Sequence, residues 1–362
     1  MTDRKLRIGV IGAGMIALMS HIPNLRATGK AEVVAICRRD ARRLAQVQEK
    51  LGIAEAYTDW REMLDRVQLD GVVVSTPHHL HAAPTLAALE RGLHVLVEKP
   101  MALTSRDAQM MVEAAQQAQR VLIVTYSPRY AGLWRTVKQK LDEGVIGSIR
   151  QLNLAFCIYR RWIWEAETAP AEGRAYVEKM SGMPEEFFVD WNEWHRDPAR
   201  MGGGMFADNG PHVVDLALWL AGAPPVEVMA FGEAAGLPVE CFLNIQARLA
   251  NGVLLSLTSA DTHLPSTLGG QERWMIVGDR GALTADAAGD VWVYGQDGVQ
   301  KIEATLPSTS RQAAFVAAID AEELDLTPAS EGVWTVALME AAYRSAAEGR
   351  VVAVQLVAKE VI

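Results

Sequence analysis

Up to about residue 125 the chain alternates short apolar runs with helical patterns, and no other feature narrows the fold as far. The runs read LRIGVIG, EVVAIC, GVVVST, HVLVEK and VLIVTY, and between them lie stretches such as DARRLAQVQEKLG and HAAPTLAALERG. Near-continuous apolar strands separated by helices predict a doubly wound parallel sheet covered on both faces. Gly52 and Gly92 stand where two of the helices should end, as C-caps. Past residue 145 the runs lengthen and partly alternate (SIRQLNLAFC, CFLNIQARL, GVLLSLTSA, DVWVYG), and Asn251-Gly252 is a strong hairpin turn between two of them. The fold class expected is therefore α/β: an N-terminal parallel sheet over residues 1–125, then a second α/β domain over 126–362 with a large, open, mostly antiparallel sheet. A last helix at about 331–348 leads to a closing strand, VVAVQL. The Trp- and Arg-rich stretch 158–205 is too long for a plain connection and reads as an excursion facing the substrate.

Bulk properties remove several function classes. The 362 residues carry a formal charge of −9, with no basic stripe outside 38–43, so no nucleic-acid partner is expected. Cys37, Cys157 and Cys241 are scattered singly, without the spacing of a disulfide framework or a zinc site, which fits a reducing cytoplasm. The N-terminal MTDRKLRIGVIGAGMIA breaks its apolar run with glycines and does not read as a signal peptide. No run approaches the ~18 apolar residues of a membrane span.

The first strand ends in Gly12-Ala13-Gly14-Met15-Ile16-Ala17, a G-x-G-x-x-A turn that opens a helix. Gly12 permits the tight turn, Gly14 lets backbone approach a pyrophosphate, and small Ala17 lets helix and strand pack closely. The phosphates then meet the N–H groups at the helix start, where Met15 and Ile16 lie. With a strand before it, a helix after it and a second strand about 20 residues on, the motif predicts a dinucleotide site. An NAD-preferring site ends that second strand in Asp or Glu; this chain has Arg38 and Arg39. A guanidinium pairs with a 2′-phosphate, so NADP is the expected cofactor, with NAD possible. Arg42 and Arg43 read better as solvated positions on the following helix, with Asp40 as its N-cap.

Three further motifs occur in order: Thr76-Pro77-His78-His79-Leu80-His81, Glu98-Lys99-Pro100, and Gly202-Gly203-Gly204-Met205-Phe206-Ala207-Asp208-Asn209-Gly210-Pro211-His212-Val213-Val214-Asp215. Together with the N-terminal glycines they resemble the Gfo/Idh/MocA family of oxidoreductases over nearly the whole chain. The resemblance implies a Rossmann domain followed by a substrate domain, and homodimers or homotetramers formed through the second sheet. It also implies that Lys99, Asp208 and His212 are the catalytic group and contact substrate, and that Thr76, Pro77, His81, Glu98 and Lys99 line the cofactor. The spacing agrees: on a helix starting near 209, positions 208, 212 and 215 share one face. His212 suits a general base, Lys99 would stabilise the developing alkoxide, and Asp208 would orient substrate or lysine. Asp215 reads as structural. His78 stands where the family has Asn in TPNxxH, and Ser127 replaces Asn in a segment that often reads YNxR. Arg129 is retained there, either reaching the substrate or forming a structural ion pair.

The substrate class stays open among sugars, polyols, cyclitols, sugar acids and aromatic dihydrodiols. Trp162 and its aromatic and arginine neighbours between 158 and 205 fit ring faces and carboxylates, and equally fit loop packing. With no HExxH and no Cys/His cluster, no metal is expected. Two other functions remain beside an NADP-preferring dehydrogenase/reductase: an NAD-dependent glycoside hydrolase of the same superfamily and a non-catalytic regulator.

Overall fold

The computed structural model describes residues 4–159, 163–164, 171–184, 187, 193–262, 271–286, 289–296, 298–322 and 324–356. The chain divides into two compact units. The first contains Met1–Thr125 together with Ala169–Gly202 and Ser310–Gly332; the second contains Tyr126–Thr168, Gly203–Thr309 and Val333–Ile362. Two stretches that the sequence reading assigned to the second domain thus pack with the first.

In the first unit, β1 (Leu6–Ile11) runs into a π-helical turn at Ala17–His21 and then α1 (Ile22–Ala27). There follow β2 (Ala31–Cys37), α2 (Ala41–Leu51), β3 (Glu55–Tyr57), α3 (Trp60–Arg66) and β4 (Gly71–Val74). Then come α4 (Ala82–Glu90), β5 (His94–Val97), α5 (Ser105–Ala118) and β6 (Leu122–Val124). All pairings are parallel, in the order β3-β2-β1-β4-β5-β6. The expected doubly wound Rossmann sheet is therefore present. Val72, Val73, Val74, Val95, Leu96 and Val97 are fully buried because helices cover both faces, which explains runs without polar alternation. Asp40 caps α2, its side chain accepting from the Arg43 N–H, and Gly52 closes that helix in the left-handed region at φ 63°.

In the second unit, α6 (Gly132–Asp142) precedes β7 (Ile149–Ile158). Two helices of the first unit intervene in the chain, α7 (Ala171–Ser181) and the short α8 (Pro198–Met201). The second unit resumes with α9 (Met205–Ala221), β8 (Pro225–Glu233), β9 (Phe242–Leu249), β10 (Leu254–Asp261) and β11 (Gln271–Gly278). After β12 (Gly281–Ala285), β13 (Val291–Gly295) and β14 (Gly298–Ile302) the chain returns to the first unit for α10 (Arg311–Asp320); α11 (Thr327–Glu348) begins in the first unit and continues in the second, which ends with β15 (Val352–Ala353) among the described residues. The nine described strands order as β14-β13-β12-β11-β7-β10-β9-β8-β15, and only β7 with β10 pairs in parallel. This is the large, mostly antiparallel sheet expected. One face buries Leu152, Leu154, Ile245, Leu255, Leu257 and Ile276 against Val213, Leu216, Ala217 and Leu220 of α9. The alternation along β9 and β10 follows from that one-sided packing. The last helix begins at Thr327, four residues before the expected 331. Among the described residues no helix is long and apolar enough to cross a membrane.

Candidate active site

The glycine turn follows β1, as its spacing required. Gly12 has φ 94°, and a Cβ there would lie 2.4 Å from the Ser75 carbonyl oxygen, so no larger residue fits. A Cβ on Gly14 would find only Arg38 Nη1 at 3.8 Å and Gly12 O at 4.0 Å. That opening lies where the chain turns helical at Met15 and Ile16, the place a phosphate needs. Ala17 is fully buried. On the neighbouring loop the buried Thr76 hydroxyl has no hydrogen-bond partner among the described residues. An open cradle beside a helix start, with an orphaned hydroxyl on the adjacent loop, fits a dinucleotide.

Arg38 follows β2 and turns back toward the glycine turn, where Nη1 donates to Ala13 O at 3.0 Å. Arg39 is exposed beside it. His81 is fully buried, with Nδ1 2.7 Å from Pro100 O and Nε2 2.8 Å from Thr76 O. It ties the loop after β4 to the loop after β5, so both ring nitrogens are turned to main chain rather than outward. Burial lowers its pKa, and the two carbonyl contacts oppose that. Pro77 stands between Thr76 and a short 3-10 turn at His78–Leu80.

Lys99 follows β5, half-buried. Its backbone N–H is met by Glu98 Oε2 at 3.1 Å and Thr125 Oγ1 at 3.2 Å. The other Glu98 oxygen, Oε1, lies 3.0 Å from Nε2 of the fully buried His21, whose Nδ1 is 2.7 Å from Gln312 Nε2. Burial alone would raise the Glu98 pKa. The His21 hydrogen bond and the charges of His21, Arg311 and Lys99 outweigh it and hold the carboxyl well below its usual range. Glu98 therefore anchors the backbone that carries Lys99. The π-helical turn that ends in His21 supplies this partner, and nothing in the spacing of a lone histidine announced it.

In the second unit Asp208 and His212 stand one turn apart on α9. The helix starts at Met205, not near 209, with Gly204 as N-cap. Asp208 consequently belongs to the first turn rather than capping it. It is buried, and its Oδ2 accepts from Asn209 Nδ2 at 3.1 Å. The capping falls to Glu240, which accepts from the Phe206 N–H at 3.1 Å and from the Tyr343 hydroxyl at 2.8 Å. Burial raises the Glu240 pKa against those hydrogen bonds, and burial together with Glu240 raises that of Tyr343. Neither residue belonged to a recognisable motif, because each reaches α9 from a distant part of the chain. Asp215 is fully buried and holds Arg129 through two bonds of 2.6 Å. Of the two readings open for Arg129, the ion pair is what forms; the fork expected to bind substrate is engaged by Asp215. Trp162 lies outside the described residues, as do Arg160, Arg161 and Trp191. Among the described residues no group of His, Cys, Asp or Glu could hold a metal ion.

A Rossmann sheet with an open glycine cradle, joined in one chain to a mostly antiparallel domain that presents a carboxylate and an imidazole on one helix, defines a nucleotide-dependent oxidoreductase. Residues 6–126 match the model of the oxidoreductase family with NAD-binding Rossmann fold, GFO_IDH_MocA, and residues 134–284 match the GFO/IDH/MocA C-terminal domain. The chain belongs to the Gfo/Idh/MocA family. It is 29% identical over 354 residues to the 1,5-anhydro-D-fructose reductase of Ensifer adhaerens, covering 95% of this chain and 97% of that one. To the D-glucoside 3-dehydrogenase of Escherichia coli (strain K12) it is 30% identical over 227 residues, which cover 63% of this chain and 57% of that protein. The aldose-aldose oxidoreductase of Caulobacter crescentus, complexed with glycerol, shares the fold with a TM-score of 0.76 at 22% identity, over 97% of this chain and 100% of that one.

Proposed function

We propose that the protein is an NADP-preferring oxidoreductase that moves hydride between nicotinamide and a carbinol or carbonyl carbon of a sugar, polyol, cyclitol or related cyclic alcohol. One observation carries the reading: a family member keeps a lysine anchored by Glu98 after β5 and stacks Asp208 and His212 one turn apart on α9. When bound, the nicotinamide supplies the hydride acceptor or donor. His212 takes the proton of the substrate hydroxyl as the carbon is oxidised and returns it in the reverse direction. Lys99 hydrogen-bonds the same oxygen and stabilises its developing charge. Asp208 orients the substrate. The named relatives that act on carbohydrates support the substrate class.

The NADP preference is supported by Arg38, bonded to the glycine turn, and by exposed Arg39, at the point where a ribose-binding carboxylate would otherwise stand. The test is an absorbance screen at the reduced-nicotinamide band with aldoses, cyclitols, sugar acids and dihydrodiols, each with NADP and NAD. Wild type should respond with NADP, and Arg38→Asp should weaken NADPH binding strongly while NADH binding changes little. Equal losses for both cofactors would remove the 2′-phosphate assignment; silence of wild type with every pair would remove the dehydrogenase reading.

We also propose a homodimer or homotetramer formed through the outward face of the second sheet. That face exposes Met275 and Trp292, each paired across strands with Thr284, and Leu254 beyond them. Apolar side chains in such a row favour a protein partner. Sedimentation of the purified protein should give a multiple of the chain mass; a monomer at micromolar concentration would rule the assembly out.

A further inference from the structure

Lys99 is assigned to the reacting oxygen, and its reach depends on the backbone that carries it. Glu98 holds that backbone, and Glu98 is held in turn from a distant part of the chain. Helix α10 packs on α1 and β5, with Ser310 as its N-cap accepting from the Ala313 N–H. Its first two residues both reach the π-helical turn that follows the glycine cradle. Arg311 Nη2 donates to Ser20 Oγ at 3.0 Å, and Gln312 Nε2 lies 2.7 Å from His21 Nδ1, 291 positions away in sequence. The opposite ring nitrogen, Nε2, is 3.0 Å from Glu98 Oε1, while Glu98 Oε2 accepts from the Lys99 N–H. Gln312 and His21 are 0% exposed and Glu98 9%, so water does not compete for these contacts. An ionised carboxylate can only accept, so the hydrogen facing Oε1 belongs to His21 Nε2. A ring met at both nitrogens cannot turn without giving up both partners. The π-helical turn that carries it is of a kind that gathers at functional sites.

We infer that His21 and Gln312 are positioning residues for Lys99, fixing Glu98 so that the loop after β5 presents the lysine to the reacting oxygen. The inference rests on the catalytic role proposed for Lys99 and extends it to two residues outside the sequence motifs. Loss of the imidazole strips Glu98 Oε1 of its ring partner inside the protein, where a carboxylate so deprived does not stay both charged and in place. Glu98 then takes up a proton and grips the Lys99 N–H less firmly, or turns away from it. Thr125 Oγ1 remains as the second acceptor, so the loop loosens rather than unfolds. A displacement of about 1 Å at a group that must meet the reacting oxygen is enough to slow the chemical step about a hundredfold. The glycine cradle precedes the π-helical turn and keeps its own sterics, so dinucleotide affinity should change little.

The experiment takes two readouts from the full-length protein, and the first needs neither substrate nor dinucleotide. Hydrogen exchange of the apoprotein, followed by fragment-resolved mass spectrometry, reads the Lys99 N–H directly. In His21→Phe it should exchange roughly tenfold faster, while the amides of Val72–Val74 in β4 keep their protection. The second readout is steady-state kinetics on the substrate found by the screen. There kcat should fall roughly 10–100-fold, with KM and the NADPH dissociation constant near their wild-type values. His21→Gln, whose amide N–H can stand in for Nε2, should bring both readouts back towards wild type. Gln312→Leu leaves every side chain of the π-helical turn in place and should shift both in the same direction, less strongly. Wild-type exchange at Lys99 in folded His21→Phe and Gln312→Leu would overturn the positioning role alone. A rise in KM or in the NADPH dissociation constant at unchanged kcat would overturn it too, assigning His21 to the dinucleotide turn. A wild-type rate in Lys99→Ala would remove the catalytic reading itself, and the positioning role with it.

Discussion

Alanine at position 99 should lower turnover roughly 10²–10⁴-fold while the dissociation constant for the dinucleotide stays near the wild-type value. The expectation separates cleanly because the two functions of Lys99 use different atoms. Its backbone N–H is the group held by Glu98 and Thr125, and alanine keeps it. What is lost is the side chain beyond Cβ, and with it Nζ, the group assigned to the reacting oxygen. Steady-state kinetics on the substrate found by the screen, with NADPH titrated by fluorescence, reads both quantities. A near-wild-type rate would remove Lys99 from the chemistry. A matching fall in cofactor affinity would mean that it serves the nucleotide instead.

Arg129→Ala should destabilise the second domain by about 3–5 kcal/mol, because it strands a buried carboxylate. The side chains of Arg129 and Asp215 are 8% and 0% exposed, so water cannot take over the lost pairing. Thr335 Oγ1, 3.5 Å from Asp215 Oδ1, is too distant to replace the guanidinium. Arg129→Lys should recover part of the loss, since an ammonium restores charge without the planar fork. Denaturant unfolding of the apoprotein checks both. A loss below about 1 kcal/mol in the alanine variant would place the pair with surface ion pairs of little consequence. The measurement also bears on the substrate, since a residue so engaged is a poor choice for gripping a ligand carboxylate.

Much of the first unit was legible because its signals are local. Gly12, Gly14 and Ala17 lie within a span of six residues, and each answers to a steric demand of one turn. Apolar runs such as GVVV and HVLV lose polar alternation only when both faces are covered, so they declared a parallel sheet. The hairpin at Asn251-Gly252 was likewise local, and Gly252 adopts φ 83° there. The start of α9 was misplaced for the converse reason. Its N-terminal groups are satisfied by Glu240 rather than by Asp208, and no cap within the neighbouring sequence marks Met205 as the beginning. The stretch 158–205 was less legible: its tryptophans and arginines gave a composition, and composition does not say that its described part within 169–202 belongs to the first unit.

The sequence by itself determined the sheet classes, the glycine cradle, the arginines at the end of β2, and the spacing that stacks Asp208 and His212 on one helix face. These follow from periodicity, sterics and side-chain charge over a few residues. Only the tertiary structure decided that His21 faces Glu98, that Asp215 takes the fork of Arg129, that His81 turns both nitrogens to main chain, and that Phe187 lies against Arg38. Each pairing joins residues far apart in the chain or reverses what a side chain would do alone. Burial makes it obligatory, because a polar group removed from water must find its partner wherever the packed chain happens to bring one.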